Sequence, residues 1–190
     1  MRERLPVPKQ DFKRLLLDKI EGRKASVAVV GLGYVGLPLA VAIARAGHTV
    51  LGIDLDPGRI QAINSGESYI EDVTDTSICD LIALGRLSVS TEYSRAATSD
   101  VAVIAVPTPI DEYRVPNLSY VSSAAHSLAE TMKPGSLVVL ESTTYPGTTE
   151  EIVVPAFTDL GCCPDVGPFV GHSPANIPPG NDQCKRPTTP

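Results

Sequence analysis

The chain has 190 residues, a hydrophobic content of 43% and a formal net charge of −6. That length suits one well-cored domain with at most a small fragment beside it. The acidity argues against nucleic acid or an anionic membrane as the main partner.

The first segment, residues 1–24, mixes both charge signs from Met1 onward and has no apolar core of signal-peptide length, so a cytoplasmic location is the default expectation. Phe12, Leu16 and Ile20 recur at a spacing of four with Gly22 as a stop, which predicts a short amphipathic leading helix packed on the domain. A strand follows over about 25–30, a helix over about 34–46 with Gly47 as its C-cap, and a second strand over about 49–54. His48 between them reads as a loop histidine. Ala25 to Ala44 is also 20 residues long and nearly free of charge, the length of a membrane span. Its glycines, Pro38 and β-branched opening argue instead for a strand that turns into a helix.

Further along, Asp56-Pro57 opens a helix that runs to about Asn64 and is closed by Ser65-Gly66. A helix near 74–84 and a short strand near Leu87–Ser90 come next. Val101-Ala-Val-Ile-Ala-Val106 and Ser136-Leu-Val-Val-Leu140 read as strands buried on both faces, with a helix from Ser119 to about Met132 between them. Thr148-x-x-Glu151 is a capping-box pattern for a helix to about Leu160. Strands alternating with helices predict an α/β fold, a Rossmann-type doubly wound parallel sheet in the order 3-2-1-4-5-6, as a single domain over 25–161. Residues 161–190 hold seven prolines and four glycines without periodicity. Phe169-Val170 can start a last strand, and 162–190 otherwise reads as an irregular, disordered, Pro-rich tail.

The chemistry is concentrated near the start of this domain. Gly31, Gly33 and Gly36 stand in G-x-G-x-x-G spacing behind the first strand, and Asp54 lies 18 positions after Gly36 at the end of the second. Gly31 allows a sharp turn, Gly33 a close approach of a pyrophosphate, and Gly36 close packing of the helix. The helix N-terminus stabilises phosphate through free N–H groups and the macrodipole, with no basic side chain required. Asp54 can accept both hydroxyls of the adenosine ribose and would repel the extra phosphate of NADP, so NAD is the expected cofactor, with Arg59 as the feature that keeps NADP open. A glycine turn that binds nothing is the competing reading.

Two loops leave the sheet on the side where ligands bind. Val106-Pro107-Thr108-Pro109 has two prolines and forms either a rigid wall beside ribose or nicotinamide or a structural kink. Glu141-Ser142-Thr143-Thr-Tyr-Pro-Gly-Thr148 offers hydroxyls at Ser142 and Thr143 that can bond a nicotinamide, a water or a sugar oxygen, or simply cap the turn. Neither loop holds an obvious nucleophile–base pair, and Glu141 or His172 is the candidate acid or base. Cys79, Cys162, Cys163 and Cys184 make no C-x-x-C pair and have no grouped histidines, so no metal site is expected, and reduced thiols fit a cytosolic nucleotide-binding fold.

With these loops in view, the chain resembles the nucleotide-sugar 6-dehydrogenases, the UDP-glucose/GDP-mannose dehydrogenase family, and within it the UDP-N-acetylglucosamine branch. The matching segments are Gly31-Leu-Gly-Tyr-Val-Gly-Leu-Pro-Leu39, Gly66-Glu-Ser-Tyr-Ile-Glu-Asp72, Val106-Pro-Thr-Pro109, Asn117-Leu-Ser-Tyr-Val121 and Leu140-Glu-Ser-Thr-Thr-Tyr-Pro-Gly-Thr148. The resemblance implies that Gly31, Gly33, Tyr34, Val35 and Gly36 hold the NAD pyrophosphate and that Asp54 and Arg59 hold the adenosine ribose. It also implies that Val106, Pro107, Thr108, Pro109, Ser142 and Thr143 lie near the cofactor, with Thr143 positioning a water or oxyanion during catalysis. The family oxidises the sugar C6 alcohol of a nucleotide sugar to a carboxylate in two hydride transfers, the second through a thiohemiacetal on a cysteine.

The tail departs from the family pattern Ser-Pro-Glu-Arg-Ile-x-Pro-Gly-Asn. Here the stretch is Ser173-Pro-Ala-Asn-Ile-Pro-Pro-Gly-Asn181, with Ala175 in place of a glutamate and Asn176 in place of an arginine. The family's dimerisation domain, cysteine nucleophile and UDP-binding domain have no counterpart in the sequence, which suggests a truncated or frameshifted product that is inactive alone. Two alternatives are a complete small hydroxyacid-type dehydrogenase and a non-enzymatic, NAD-responsive partner of a full-length relative.

Overall fold

Six short, mostly apolar runs assemble, in this computed structural model, into one parallel sheet. The structure describes residues 11–110, 116–162 and 166–173. The strands are β1 (Ser26–Val30), β2 (Thr49–Ile53), β3 (Leu87–Ser90), β4 (Val101–Ile104), β5 (Leu137–Leu140) and β6 (Phe169–His172). Their order is β3-β2-β1-β4-β5-β6, as the alternation predicts. The helices are α1 (Phe12–Glu21), α2 (Gly36–Arg45), α3 (Pro57–Asn64), α4 (Asp75–Ala83), α5 (Ser119–Thr131) and α6 (Val154–Thr158). The run from Ala25 to Ala44 is thus divided between β1 and α2. Among the described residues no helix is long and apolar enough to cross a membrane.

Because side chains alternate along a strand, the sheet feeds two cores. Val27, Val29, Val50, Val89 and Val103 face α2 and α4, together with Leu16 of α1. Ala28, Val30, Ile53, Ala102, Ile104 and Leu140 face α5 and α6. β4 is buried at every residue, as expected. β5 is not: Leu137 and Val139 are half-buried on the face that carries α1. That face borders an open groove of about 530 Å³ between α1 and the α6–β6 pair, lined by residues such as Leu17, Phe157, Cys162 and Phe169.

Helix ends follow the sequence signals with two exceptions. Asp56 caps α3 through Gly58 N–H, and Gly47 and Gly66 take positive φ just past α2 and α3. Gly22 ends α1, but the left-handed conformation falls on Arg23 at φ 54°. The capping box at Thr148 does not form. Thr148 is already helical, its hydroxyl donates to the Tyr145 carbonyl at 2.8 Å, and Glu151 accepts from the Tyr145 hydroxyl at 2.8 Å. The chain therefore enters α6 through a wide π turn over Thr149–Val153. A 3-10 turn over Tyr93–Thr98 carried no periodic signal and was not expected.

Far from the ligand side, the buried Asp100 accepts from Lys19 at 2.6 Å, Lys133 at 2.9 Å and the Ser26 N–H at 3.0 Å. Burial works to raise its pKa, but those donors outweigh it and hold the carboxyl down to about 2. This cluster ties α1 to the starts of β1 and β4. The expected extension over residues 1–10, and the departures at Ala175 and Asn176 with Cys163 and Cys184, lie outside the described residues.

Candidate functional site: the glycine turn and its flanking loops

The sheet reverses its winding between β1 and β4, and the chain leaves both strands there at their carboxyl ends. Gly31 turns out of β1 with φ 89°, and a Cβ on it would lie 2.6 Å from the Ala105 carbonyl oxygen beyond β4. A Cβ on Gly36 would fall on the carbonyl oxygen of Gly31. Gly36 therefore packs the helix against the turn itself more than against the strands. Gly33 differs: the nearest atom to its Cβ position is Arg59 Nη1 at 4.0 Å, so the space over this peptide is open.

The helical ladder begins with Leu37 N–H on the Gly33 carbonyl, which leaves the N–H groups of Tyr34, Val35 and Gly36 ahead of it. Tyr34 stands at the rim with 81% of its surface exposed, and Val35 is also exposed. An apolar, uncharged helix start with open backbone amides and a missing side chain fits a diphosphate.

Asp54 closes this arrangement from the end of β2. It is 9% exposed. Its Oδ2 accepts from Leu32 N–H at 2.8 Å and from Arg59 Nη1 at 3.0 Å, and its Oδ1 accepts from Asp56 N–H at 3.0 Å. A carboxylate has roughly four acceptor sites. Three donors leave room for about one ribose hydroxyl, so acceptance of both requires Arg59 to yield its place. Tyr69 donates to the Leu32 carbonyl at 2.8 Å, and Arg59 lies 5.9 Å from the centre of its ring. Burial first, then the Asp54 charge, push the Tyr69 phenol up to about 12, against the opposing effect of Arg59. Tyr93 is raised for the same two reasons, burial and then Asp54.

The two later loops meet each other at the ends of β4 and β5. Thr108 Oγ1 donates to the Thr143 carbonyl at 2.8 Å. Ser142 is buried and donates to the Val106 carbonyl at 2.8 Å and the Ile104 carbonyl at 3.3 Å. Its proton joins the two loops, and the lone pairs of its oxygen remain as acceptors. Thr143, Pro107 and Pro109 are exposed, and Val106 and Thr108 are half-buried beside the turn, where the Val106 Cα lies 3.0 Å from the Cβ position of Gly31. Glu141 is buried at the end of β5, and His172 is exposed at the end of β6 opposite Leu140. His48 Nδ1 bonds the Ala25 carbonyl at 3.2 Å, a structural contact. Cys79 Sγ faces the Gly66 carbonyl, and Cys162 lines the groove beside α1.

Residues 25–181 match the NAD-binding domain of the UDP-glucose/GDP-mannose dehydrogenase family. The chain belongs to that family. Its described Rossmann sheet is the family's NAD-binding domain, as the five sequence segments imply. It is 39% identical to the UDP-N-acetyl-D-glucosamine 6-dehydrogenase of Pseudomonas aeruginosa over 83% of this chain and 36% of that protein. The solved UDP-D-ManNAc dehydrogenase of Pyrococcus horikoshii superposes with a TM-score of 0.76 at 38% identity, over 82% of this chain and 37% of that one. A ternary complex of GDP-mannose dehydrogenase from Pseudomonas aeruginosa does so at 0.71 and 32%, over 78% and 35%. The chain thus spans about a third of the length of the relatives it matches.

Sequence reasoning missed Tyr69 as part of this NAD-binding domain's site. The signal was present in the Gly66–Asp72 segment, but the contact with Leu32 crosses 37 positions and no local pattern encodes it.

Proposed function

We propose that this chain binds NAD at the turn Gly31–Gly36, with the diphosphate over Gly33 and the adenosine ribose beside Asp54 and Arg59. The observation that carries the proposal is the Asp54 carboxylate, held at the end of β2 and bonded to the N–H of the turn residue Leu32 at 2.8 Å. Bound NAD supplies a hydride acceptor. The residues of this chain bind and orient it: the helix start takes the diphosphate, Asp54 receives a ribose hydroxyl, and the joined loops 106–109 and 142–143 wall the far side. Thr143 has an exposed side chain at that wall and is the residue to position a water or oxygen.

In a full-length protein of this family the reaction is oxidation of the C6 alcohol of a nucleotide sugar to a carboxylate, with UDP-N-acetylglucosamine as the first substrate to try. The described thiols stand on α4 and in the α1 groove, where neither serves the crevice. The chain is expected to act in the cytoplasm and to make no NADH by itself. Calorimetric titration of the purified chain with NAD and NADP tests the binding. Saturable NAD binding with NADP at least about tenfold weaker is expected, since a 2′-phosphate would face the Asp54 carboxylate. No NAD binding refutes the proposal, and steady NADH production from UDP-N-acetylglucosamine refutes the inactivity.

A further inference from the structure

The geometry points to Tyr69 as a positioning residue for the cofactor: by holding the Leu32 carbonyl it aims the Gly33 N–H at the diphosphate. This rests on the NAD reading above and deepens it. Leu32 is fixed at three points. Its side chain is fully buried, its N–H is taken by Asp54 at 2.8 Å, and its carbonyl is taken by the Tyr69 hydroxyl at 2.8 Å. The Leu32 carbonyl and the Gly33 N–H belong to one peptide group, which is planar and trans, so they point in opposite directions. A phenol that draws the carbonyl toward the half-buried ring of Tyr69 therefore turns the Gly33 N–H away from it. Of the three glycines of the turn, Gly33 is also the one whose Cβ position is open. A bond accepted by the carbonyl polarises the same peptide and strengthens its N–H as a donor to an anion.

The rest of the cluster keeps the phenol in place. Arg59 bonds Asp54 at 3.0 Å and lies over the Tyr69 ring, so Asp54, Arg59, Tyr69 and Leu32 form a closed circuit of contacts. The phenol stays protonated across the ordinary pH range, as a donor must. Tyr69 belongs to the segment Gly66–Asp72, to which the cofactor assignments gave no task.

Tyr69→Phe removes the hydroxyl and keeps the ring. The test uses the whole chain, with NAD as the probe. It reads calorimetric affinity, ligand-free thermal unfolding and the amide proton shift of Gly33 on saturation. The variant is expected to bind NAD about five- to tenfold more weakly, with a Gly33 shift clearly smaller than in the parent chain. A purely structural Tyr69 would change the melting temperature and leave that shift alone. Affinity within twofold and an unchanged Gly33 shift overturn the proposal while the NAD site stands. If the variant does not fold, the parent chain decides: a Gly33 amide that does not move when neighbouring amides of the turn do overturns it equally. Absence of NAD binding by the parent chain refutes the functional reading itself, and the positioning role falls with it.

Discussion

Gly33→Ala separates the requirements of the fold from those of the cofactor. At this position the added methyl meets nothing nearer than Arg59 Nη1 at 4.0 Å, so the apo fold has room for it. Alanine also reduces the freedom of the unfolded chain, which stabilises a compatible site by about 0.4–1 kcal/mol. For a domain of this size that is a rise of at most about 4 °C in Tm. The same methyl stands where the diphosphate must approach the backbone. Loss of one charged hydrogen bond costs about 1.5–3 kcal/mol, or roughly 10- to 150-fold in affinity. Thermal unfolding without ligand, paired with calorimetric titration by NAD, reads both quantities on one sample. An undiminished Tm with NAD binding at least tenfold weaker is expected. A variant that binds NAD within threefold of the parent refutes the placement of the diphosphate over Gly33. Gly36→Ala is the counterpart: its methyl falls on the Gly31 carbonyl, and a misfit of this kind costs about 1–3 kcal/mol, so the apo protein itself melts several degrees lower.

Asp100 and Ser142 give two further predictions. Asp100 has a folded pKa of about 2 against an ordinary 3.8, so its contribution is present above about pH 4 and is lost as pH falls toward 2. Its ammonium partners are 48% and 38% exposed, and after allowance for solvent screening the contribution is about 1 kcal/mol. Asp100→Asn should therefore melt lower than the parent at pH 7 and converge with it near pH 2; a difference that persists unchanged at pH 2 would contradict the assignment. Ser142→Ala removes the hydroxyl that joins the Ile104 and Val106 carbonyls. It should cost about 1 kcal/mol of stability and leave NAD affinity within twofold, whereas a large affinity loss at normal stability would return Ser142 to the cofactor.

Much of this was legible because local rules and the global fold agree. The β-branched runs, Asp56-Pro57 and the glycines that follow α2 and α3 each specify one backbone geometry, and strand alternation then leaves few topologies. Asp54 could be placed at the end of β2 because a fixed spacing puts it across from the glycine turn. What spacing could not give was its neighbours: the bonds from Leu32, Arg59 and Asp56 occupy most of its acceptor sites. The Thr148 pattern misled because Tyr145, three residues before, captures both capping partners. Half-burial of β5 depends on how much of that face α1 covers, which no pattern within β5 records. Tyr69 and Ser142 act through backbone carbonyls distant in sequence, and a carbonyl leaves no mark on the residue that carries it.

The most direct measurement compares NAD affinity of the parent chain and Asp54→Ala by calorimetry, with unfolding curves to show that both are folded. The parent should bind saturably and the variant about tenfold or more weakly, since a charged acceptor and the anchor of the turn are both lost. Equal affinity in two folded proteins would contradict the placement of the ribose beside Asp54.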